Sequence, residues 1–349
     1  MYNERITKLL ENIGENEAYL ITDRKNCFYF SGIRSSNITL IISHDMRYLI
    51  TDFRYEILAC ENKAGFTVLT KDGIFSYVKE MLSQKNIYTE LDKISYEFFG
   101  RLKACTTGKI LPIGNTVTNL RNIKSDTEIS LIKKAQEIAD SAFLSTLPLM
   151  REGMTELELK AELEYRMALG GAEKTSFDTI ALFGSHTALP HGEPSNIKLK
   201  NKDIILIDFG CVYGGYCSDN TRTFFFGNPD DEMKRAYNAV NRAHMLARDF
   251  ITVNCGGKAV DKIARDYLDK CGYENLFGHS LGHGVGLDIH ENLRLSPKSE
   301  DILPENSVFS IEPGIYIKNK FGIRIEDIYV LKKDGVHSLT ALPKELTIL

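Results

Sequence analysis

The hydrophobic pattern changes character about a third of the way along the chain. Over residues 1–120 the apolar positions come in short blocks separated by polar turns: AYLITD (18–23), CFYF (27–30), ITLIIS (38–43), RYLIT (47–51) and FTVLT (66–70). Short apolar runs rich in β-branched and aromatic residues between turn formers read as strands. GIFSYVKEMLSQ (73–84) is the helix among them. Residues 1–120 are therefore expected to form a smaller α/β domain, with NTVTNLRNIKS (115–125) as the connection to a second domain.

From there the period lengthens. Ser125 and Glu128 (SDTE) form a capping box ahead of an amphipathic run, which predicts a helix over 126–149. A second helix, TELELKAELEYRMALG, is expected from Thr155. The pattern then repeats weakly. EISLIKKAQEIADSAF has a counterpart in EMKRAYNAVNRAHMLA, and DIILIDFGCVYGGYCSDNTRTFFF in SVFSIEPGIYIKNKFGIRIEDIYVL, with Asp208 and Glu312 at matching positions. Residues 121–349 are expected to be a second α/β (α+β) domain of two helix-helix-hairpin halves related by a pseudo-twofold, with a cleft between them. Amphipathic helices also resemble one another for no deeper reason, so the hairpins must carry the argument.

The hairpin turns can be placed. Gly214-Gly215 is a two-residue turn signal that pairs Tyr213 with Tyr216. Asp208 then sits opposite Thr221, and Asp219 lies diagonal to Asp208 on the same face. A three-residue turn at Lys318-Asn319-Lys320 pairs Ile317 with Phe321 and sets Glu312 opposite Glu326. A one-residue slip would undo either result. Asp208 (ILIDFG) and Glu312 (FSIEPG) lie in strands that should be buried, where neighbouring carboxylates are costly unless protonated or coordinated.

A third feature bears on these acids. GHSLGHGVGLDIHE (278–291) holds His279, His283 and His290 among four glycines, a composition suited to extended backbone passing close to another group. One histidine in a loop needs no function. Three beside two carboxylate pairs point to a metal. Four carboxylates and one imidazole form a hard donor set that suits Mn²⁺, Co²⁺ or Fe²⁺ better than thiolate-rich structural zinc sites do. Four negative charges also balance two divalent cations. Mn²⁺ is the first choice, with Co²⁺, Fe²⁺ or Zn²⁺ as alternatives.

Composition sets the surroundings. The 349 residues are 43% hydrophobic and 26% charged, ordinary for a soluble globular protein of two domains. A net charge of −4 supplies no basic field for nucleic acid or anionic membrane. The N-terminal stretch is charged throughout and lacks a signal-peptide core, and no run reaches the ~18 apolar residues of a membrane span. Seven scattered cysteines without a CxxC pair point to free thiols in a reducing cytoplasm. Cys211 and Cys217 read as small packing residues.

The ordered set Asp208, SDNTRT with Asp219, GHGVG with His283, IEPG with Glu312 and RIED with Glu326 resembles the pita-bread metallopeptidases, in particular the branch of Xaa-Pro dipeptidase (prolidase) and aminopeptidase P. TDFRYEILA (51–59) is similar to the creatinase/prolidase N-terminal domain. The resemblance implies that Asp219 and Glu326 bridge two metals, that Asp208 chelates one, and that His283 and Glu312 complete the other, with Glu312 also taking a proton from water. It implies substrate-side roles for His191 (ALPHGEPS), His290 (LDIHE) and His279. Arg294 (HENLRLS) matches an arginine that holds a dipeptide's carboxylate. Arg324 (GIRIED) either contacts substrate or orients the metal carboxylates.

The resemblance further implies small peptide substrates with proline second, and a homodimer. A bond before proline lacks an amide N–H, so a pocket for the ring is needed, expected from the histidine loop and the N-terminal half. Competing readings are an aminopeptidase P acting on longer peptides, a non-catalytic binding module of the same fold, and a structural metal site in a binding protein.

Overall fold

Four of the five apolar blocks in the first third form strands of one six-stranded sheet in the computed structural model, which describes residues 1–61 and 64–349. The spatial order is Thr67–Leu69, Arg47–Thr51, Ile38–Ile42, Glu17–Ile21, Asn86–Thr89 and Ile110–Pro112. The three strands Glu17–Ile21, Ile38–Ile42 and Arg47–Thr51 pair antiparallel, and the outer strands join in parallel. Ala18, Leu20, Ile41, Ile50 and Ile87 from the sheet bury against Val78, Leu82 and Leu102 from the helical side. The helix read over 73–84 is present as Ile74–Met81.

The fifth block corrects the strand reading. CFYF lies within the helix Arg24–Ser31. Asp23 caps its start by accepting from the backbone N–H groups of Lys25 and Asn26, and Gly32 ends it with φ +74°. A cap at one end and a left-handed glycine at the other outweigh the β preference of two aromatics. The connection near residue 120 is likewise helical over Thr116–Asn122. The chain divides into two compact units, Met1–Arg121 and Asn122–Leu349.

In the second unit the predicted capping box forms, and a second one that the sequence reading did not name starts the helix expected from Thr155. Ser125 and Glu128 start the helix Asp126–Thr146, which passes into a 3-10 turn over Leu147–Leu149, and Thr155 and Glu158 start Glu156–Leu169. These two helices pack together, as do Asp231–Phe250 and Gly257–Lys270. Each pair covers its own apolar core. The first includes Ala139, Leu163, Ile205 and Phe209, and the second Val240, Ala264, Phe309 and Ile323.

The hairpin registers are those the turns predict. Tyr213 pairs with Tyr216 and Asp208 with Thr221. Ile317 pairs with Phe321, and the same register resumes at Ile311 and Asp327, which sets Glu312 against Glu326. The halves meet through a bridge between Thr221 and Glu326, where the Glu326 N–H donates to Thr221 O at 3.0 Å. No helix among the described residues is long and apolar enough to cross a membrane.

Candidate metal centre

The Thr221–Glu326 bridge brings the two acid-bearing hairpins together. Asp208 comes from the strand Ile204–Phe209, whose other side chains are buried, and Asp219 comes from just before Asn220–Phe225. Glu312 and Glu326 come from the second hairpin. His283 comes from Gly282–Gly284, a strand squeezed between Glu291–Leu295 and Val308–Ile311. A Cβ at Gly282 would run into Ser310 O and one at Gly284 into Asn292 O. Close approach of backbones on both sides is the reason for the glycines around His283.

The five side chains converge. Ligand atoms of Asp219, His283 and Glu326 all lie within 4.8 Å of one another. His283 Nε2 is 3.5 Å from Asp219 Oδ2 and 3.4 Å from Glu312 Oε1. The other ring nitrogen, Nδ1, donates to Gly284 O at 3.1 Å, which leaves Nε2 as a lone-pair donor aimed at the acids. Burial, with His290 nearby, lowers the His283 pKa to about 3, so the ring is neutral as a ligand must be.

The carboxylates are short of compensating charge. Burial and then the neighbouring acid Asp208 push Asp219 well above the carboxylate range, and burial and then Asp219 do the same to Glu326. Burial raises Glu312 to about 8, with Asp208 adding and Arg324 offsetting. Asp208 Oδ1 and Glu326 Oε1 are buried without a hydrogen-bond partner. Two orphaned oxygens in a set of four acids and one neutral imidazole fit hard divalent cations.

Arg324 is the guanidinium among these acids, and its position fits the second of the two roles open to it. It is 3% exposed. It donates to Asp208 Oδ2 at 2.7 Å, Thr221 Oγ1 at 3.0 Å, the Tyr316 hydroxyl at 2.7 Å and Pro190 O at 3.3 Å. These bonds tie Arg324 to Asp208 and its neighbours, and Arg324 also lines the cavity above them.

A cavity of about 770 Å³ opens over the acids. His191, His279, His290 and Arg294 line it, together with apolar Phe177, Ile180, Pro190 and Ile289. All its lining residues belong to the second unit. His290 is exposed and stands edge-on to His283, ring centroids 4.4 Å apart. Arg294 is exposed beside His283, its register partner. His279 turns inward: Nδ1 donates to Ser280 O at 2.9 Å, so Nε2 accepts from the Tyr316 hydroxyl at 3.0 Å. Burial, with Arg324 nearby, lowers the His279 pKa to about 3.

Three residues at the centre escaped the sequence reading. Tyr316 links Arg324 to His279, Thr221 donates to Glu326 Oε2 at 2.7 Å, and Ser310 accepts from the His283 N–H at 3.1 Å. Thr221 was visible as the register partner of Asp208. Nothing local distinguishes Tyr316 among 16 tyrosines.

Comparison with known proteins agrees with this geometry. A model described as metallopeptidase family M24 matches residues 130–333, and one described as the creatinase/prolidase N-terminal domain matches residues 4–123. The Xaa-Pro dipeptidase of Pyrococcus horikoshii is 36% identical over 349 residues, covering 99% of each chain. The solved structure of an Xaa-Pro dipeptidase from Bacillus anthracis aligns with a TM-score of 0.96 at 36% identity over 100% of both chains. That of an X-Pro aminopeptidase from Thermotoga maritima aligns with a TM-score of 0.93 at 39% identity, over 99% of this chain and 100% of that one. With matched motifs, registers and full-length relatives in agreement, the chain belongs to metallopeptidase family M24, its pita-bread catalytic domain preceded by a creatinase/prolidase N-terminal domain.

Proposed function

We propose that the chain is a dinuclear metal-dependent exopeptidase that hydrolyses the bond before proline in Xaa-Pro dipeptides. The observation that carries the reading is the convergence of four carboxylates and the His283 imidazole beneath a cavity that also presents His191, His290 and Arg294. Full-length similarity to proteins named Xaa-Pro dipeptidase supports it.

In this reading two cations would be held by Asp219 and Glu326 in common, one of them also by Asp208 and the other by His283 with Glu312. Bound cations supply Lewis acidity and bring the pKa of water toward neutrality. The chain's own groups do the rest. Glu312 is the base that accepts the proton of the attacking water. His290, on the cavity side of His283, donates an N–H to the scissile carbonyl oxygen as negative charge develops there, and His191 contacts the same substrate region. Phe177, Ile180 and Ile289 offer apolar contact to the proline ring. Arg294 pairs with the carboxylate that directly follows proline in a dipeptide. Arg324 and Thr221 hold Asp208 and Glu326 in place.

Mn²⁺ is the proposed ion because the set is mostly carboxylate oxygen. The proposed setting is a homodimer in a reducing cytoplasm. The X-Pro aminopeptidase reading is favoured by one observation, the 39% identity to the Thermotoga maritima protein. A panel of Xaa-Pro and Xaa-Pro-Yaa peptides with Mn²⁺-loaded protein decides between them. Equal turnover of dipeptides and longer peptides would favour the aminopeptidase, and absence of turnover with metal bound would favour a binding module.

A further inference from the structure

Lys124 lies near the end of the connection over residues 115–125, where a lysine should reach solvent. Instead its side chain is 1% exposed and its ammonium donates to Glu291 Oε2 at 3.0 Å, with the Glu291 side chain 4% exposed. The two residues are 167 apart in sequence. Buried pairs of this kind are held together by the cost of leaving either charge alone, and they specify an arrangement more than they add stability. What they arrange here is the residue next to Glu291, which is His290.

The loop that carries His290 is tied at its start to the first hairpin, where the Cys217 N–H donates to Gly286 O at 2.8 Å. Residues 286–290 form a series of bends with no strand pairing. The other Glu291 oxygen, Oε1, accepts from the Leu287 N–H at 2.9 Å and the Asp288 N–H at 3.4 Å, so one carboxylate closes the loop onto itself. A Cβ at Gly286 would lie 2.6 Å from the Glu291 carboxyl atoms, so glycine is required for the carboxylate to tuck under the loop. Lys124 is fixed in turn by its own N–H donating to Asn306 O at 2.9 Å. Beyond Glu291 the register shifts, Leu293 adopts φ +85°, and Arg294 pairs with His283. Two of the groups proposed to meet the substrate, His290 and Arg294, thus flank this one anchored carboxylate.

We propose that the buried Lys124–Glu291 ion pair is a positioning device that holds the 286–290 loop, and with it His290, over the metal centre. Lys124 and Glu291 act through His290 and touch no substrate. That His290 serves turnover rests on the proposed function; that the pair orders the loop does not.

The test compares Lys124→Met, Lys124→Arg and Gly286→Ala with the wild type. Amide hydrogen exchange of peptides covering 285–291 reads loop order without reference to activity. Exchange there should speed up about tenfold or more in Lys124→Met and remain near wild type in Lys124→Arg, with the helix Asp231–Phe250 unchanged in both. Gly286→Ala, which displaces the carboxylate by sterics and leaves both charges in the chain, should show the same local loosening if Lys124→Met fails to fold.

Turnover of an Xaa-Pro dipeptide should fall about tenfold or more in kcat with KM within about twofold, at bound metal equal to wild type, and Lys124→Arg should recover most of it. Unchanged exchange over 285–291 in Lys124→Met, or in Gly286→Ala, would overturn the proposal. So would a lowered melting temperature accompanied by unchanged kcat, which would mean a merely structural pair. If wild-type protein turns over no Xaa-Pro peptide, the functional reading fails and the exchange measurement alone decides the loop's anchor.

Discussion

Glu326 and Asp327 are neighbours on one chain segment, both buried, and they stand in opposite electrostatic surroundings. Glu326 faces Asp208, Asp219 and Glu312 with Arg324 as the guanidinium among them, keeps one oxygen without a partner, and has its pKa pushed well up by burial and then Asp219. Asp327, on the opposite face, receives Arg222 Nη2 at 2.7 Å, the Lys344 ammonium and the Tyr329 hydroxyl at 3.0 Å. Burial would raise it too, but Arg222 and Lys344 hold it well below the carboxylate range. His244 completes that network, its Nδ1 donating to Ile325 O at 3.1 Å and its Nε2 lying 2.7 Å from the Tyr329 hydroxyl. Burial is common to both acids, so partners decide their proton affinity. One cluster is complete as folded. The other keeps two buried oxygens, Asp208 Oδ1 and Glu326 Oε1, without a hydrogen-bond partner.

The largest test of this contrast removes the proposed bridges. Asp219→Ala or Glu326→Ala should lose the bound metal and activity by about a thousandfold or more, while His290→Ala should keep metal and lose turnover by about a hundredfold or more. Metal analysis of the dialysed variants checks it, and full metal content in Asp219→Ala would sink the bridging assignment.

Stability should reverse the ranking. Asp327→Asn leaves Arg222 and Lys344 without their shared carboxylate and should cost about 3–5 kcal/mol in urea unfolding. Glu326→Gln in metal-free protein relieves repulsion and should cost less than about 1 kcal/mol, or stabilise. Equal losses would mean that the two clusters do not differ as described.

Substrate length gives a smaller effect. An Arg294–carboxylate contact worth roughly 1.5–3 kcal/mol predicts a preference for Xaa-Pro over Xaa-Pro-Yaa of about ten- to a hundredfold in kcat/KM. Arg294→Ala should erase most of it by harming the dipeptide. An indifferent variant would mark the protein as an aminopeptidase with the same metal centre.

The smallest effect is on pH dependence without metal. Glu312 carries a folded pKa of about 8 against 4.5 for an ordinary glutamate, so between these values the folded state binds more protons than the unfolded state. Stability therefore falls as pH rises through that range. Below 6.5 the buried His244, His279 and His283, with pKa values lowered to about 4, 3 and 3, work in the other direction, because the unfolded chain takes up their protons first. The carboxylate contribution is thus isolated between pH 6.5 and 8. Urea midpoints of metal-free protein should decline across that window, and added Mn²⁺ should remove the decline. A midpoint rising from 6.5 to 8 without metal would refute the charge excess.

The legible parts of this protein are the local ones. Gly214-Gly215 and the turn at Lys318-Asn319-Lys320 determined both registers, and with them the pairing of Asp208 with Thr221 and of Glu312 with Glu326, because turn geometry is settled within a few residues. The capping box at Ser125 was determined in the same way, while at Thr155 only the start of the helix was read. CFYF misled because its caps, Asp23 and Gly32, lie outside the aromatic run that signalled a strand. Tertiary structure alone decided what compensates each buried charge: Arg324 on Asp208 across 116 residues, Arg222 on Asp327 across 105, and Lys124 on Glu291 across 167. Such partners leave no periodic trace in the chain. Their choice depends on which segments the folded backbone places within hydrogen-bond reach once water is excluded.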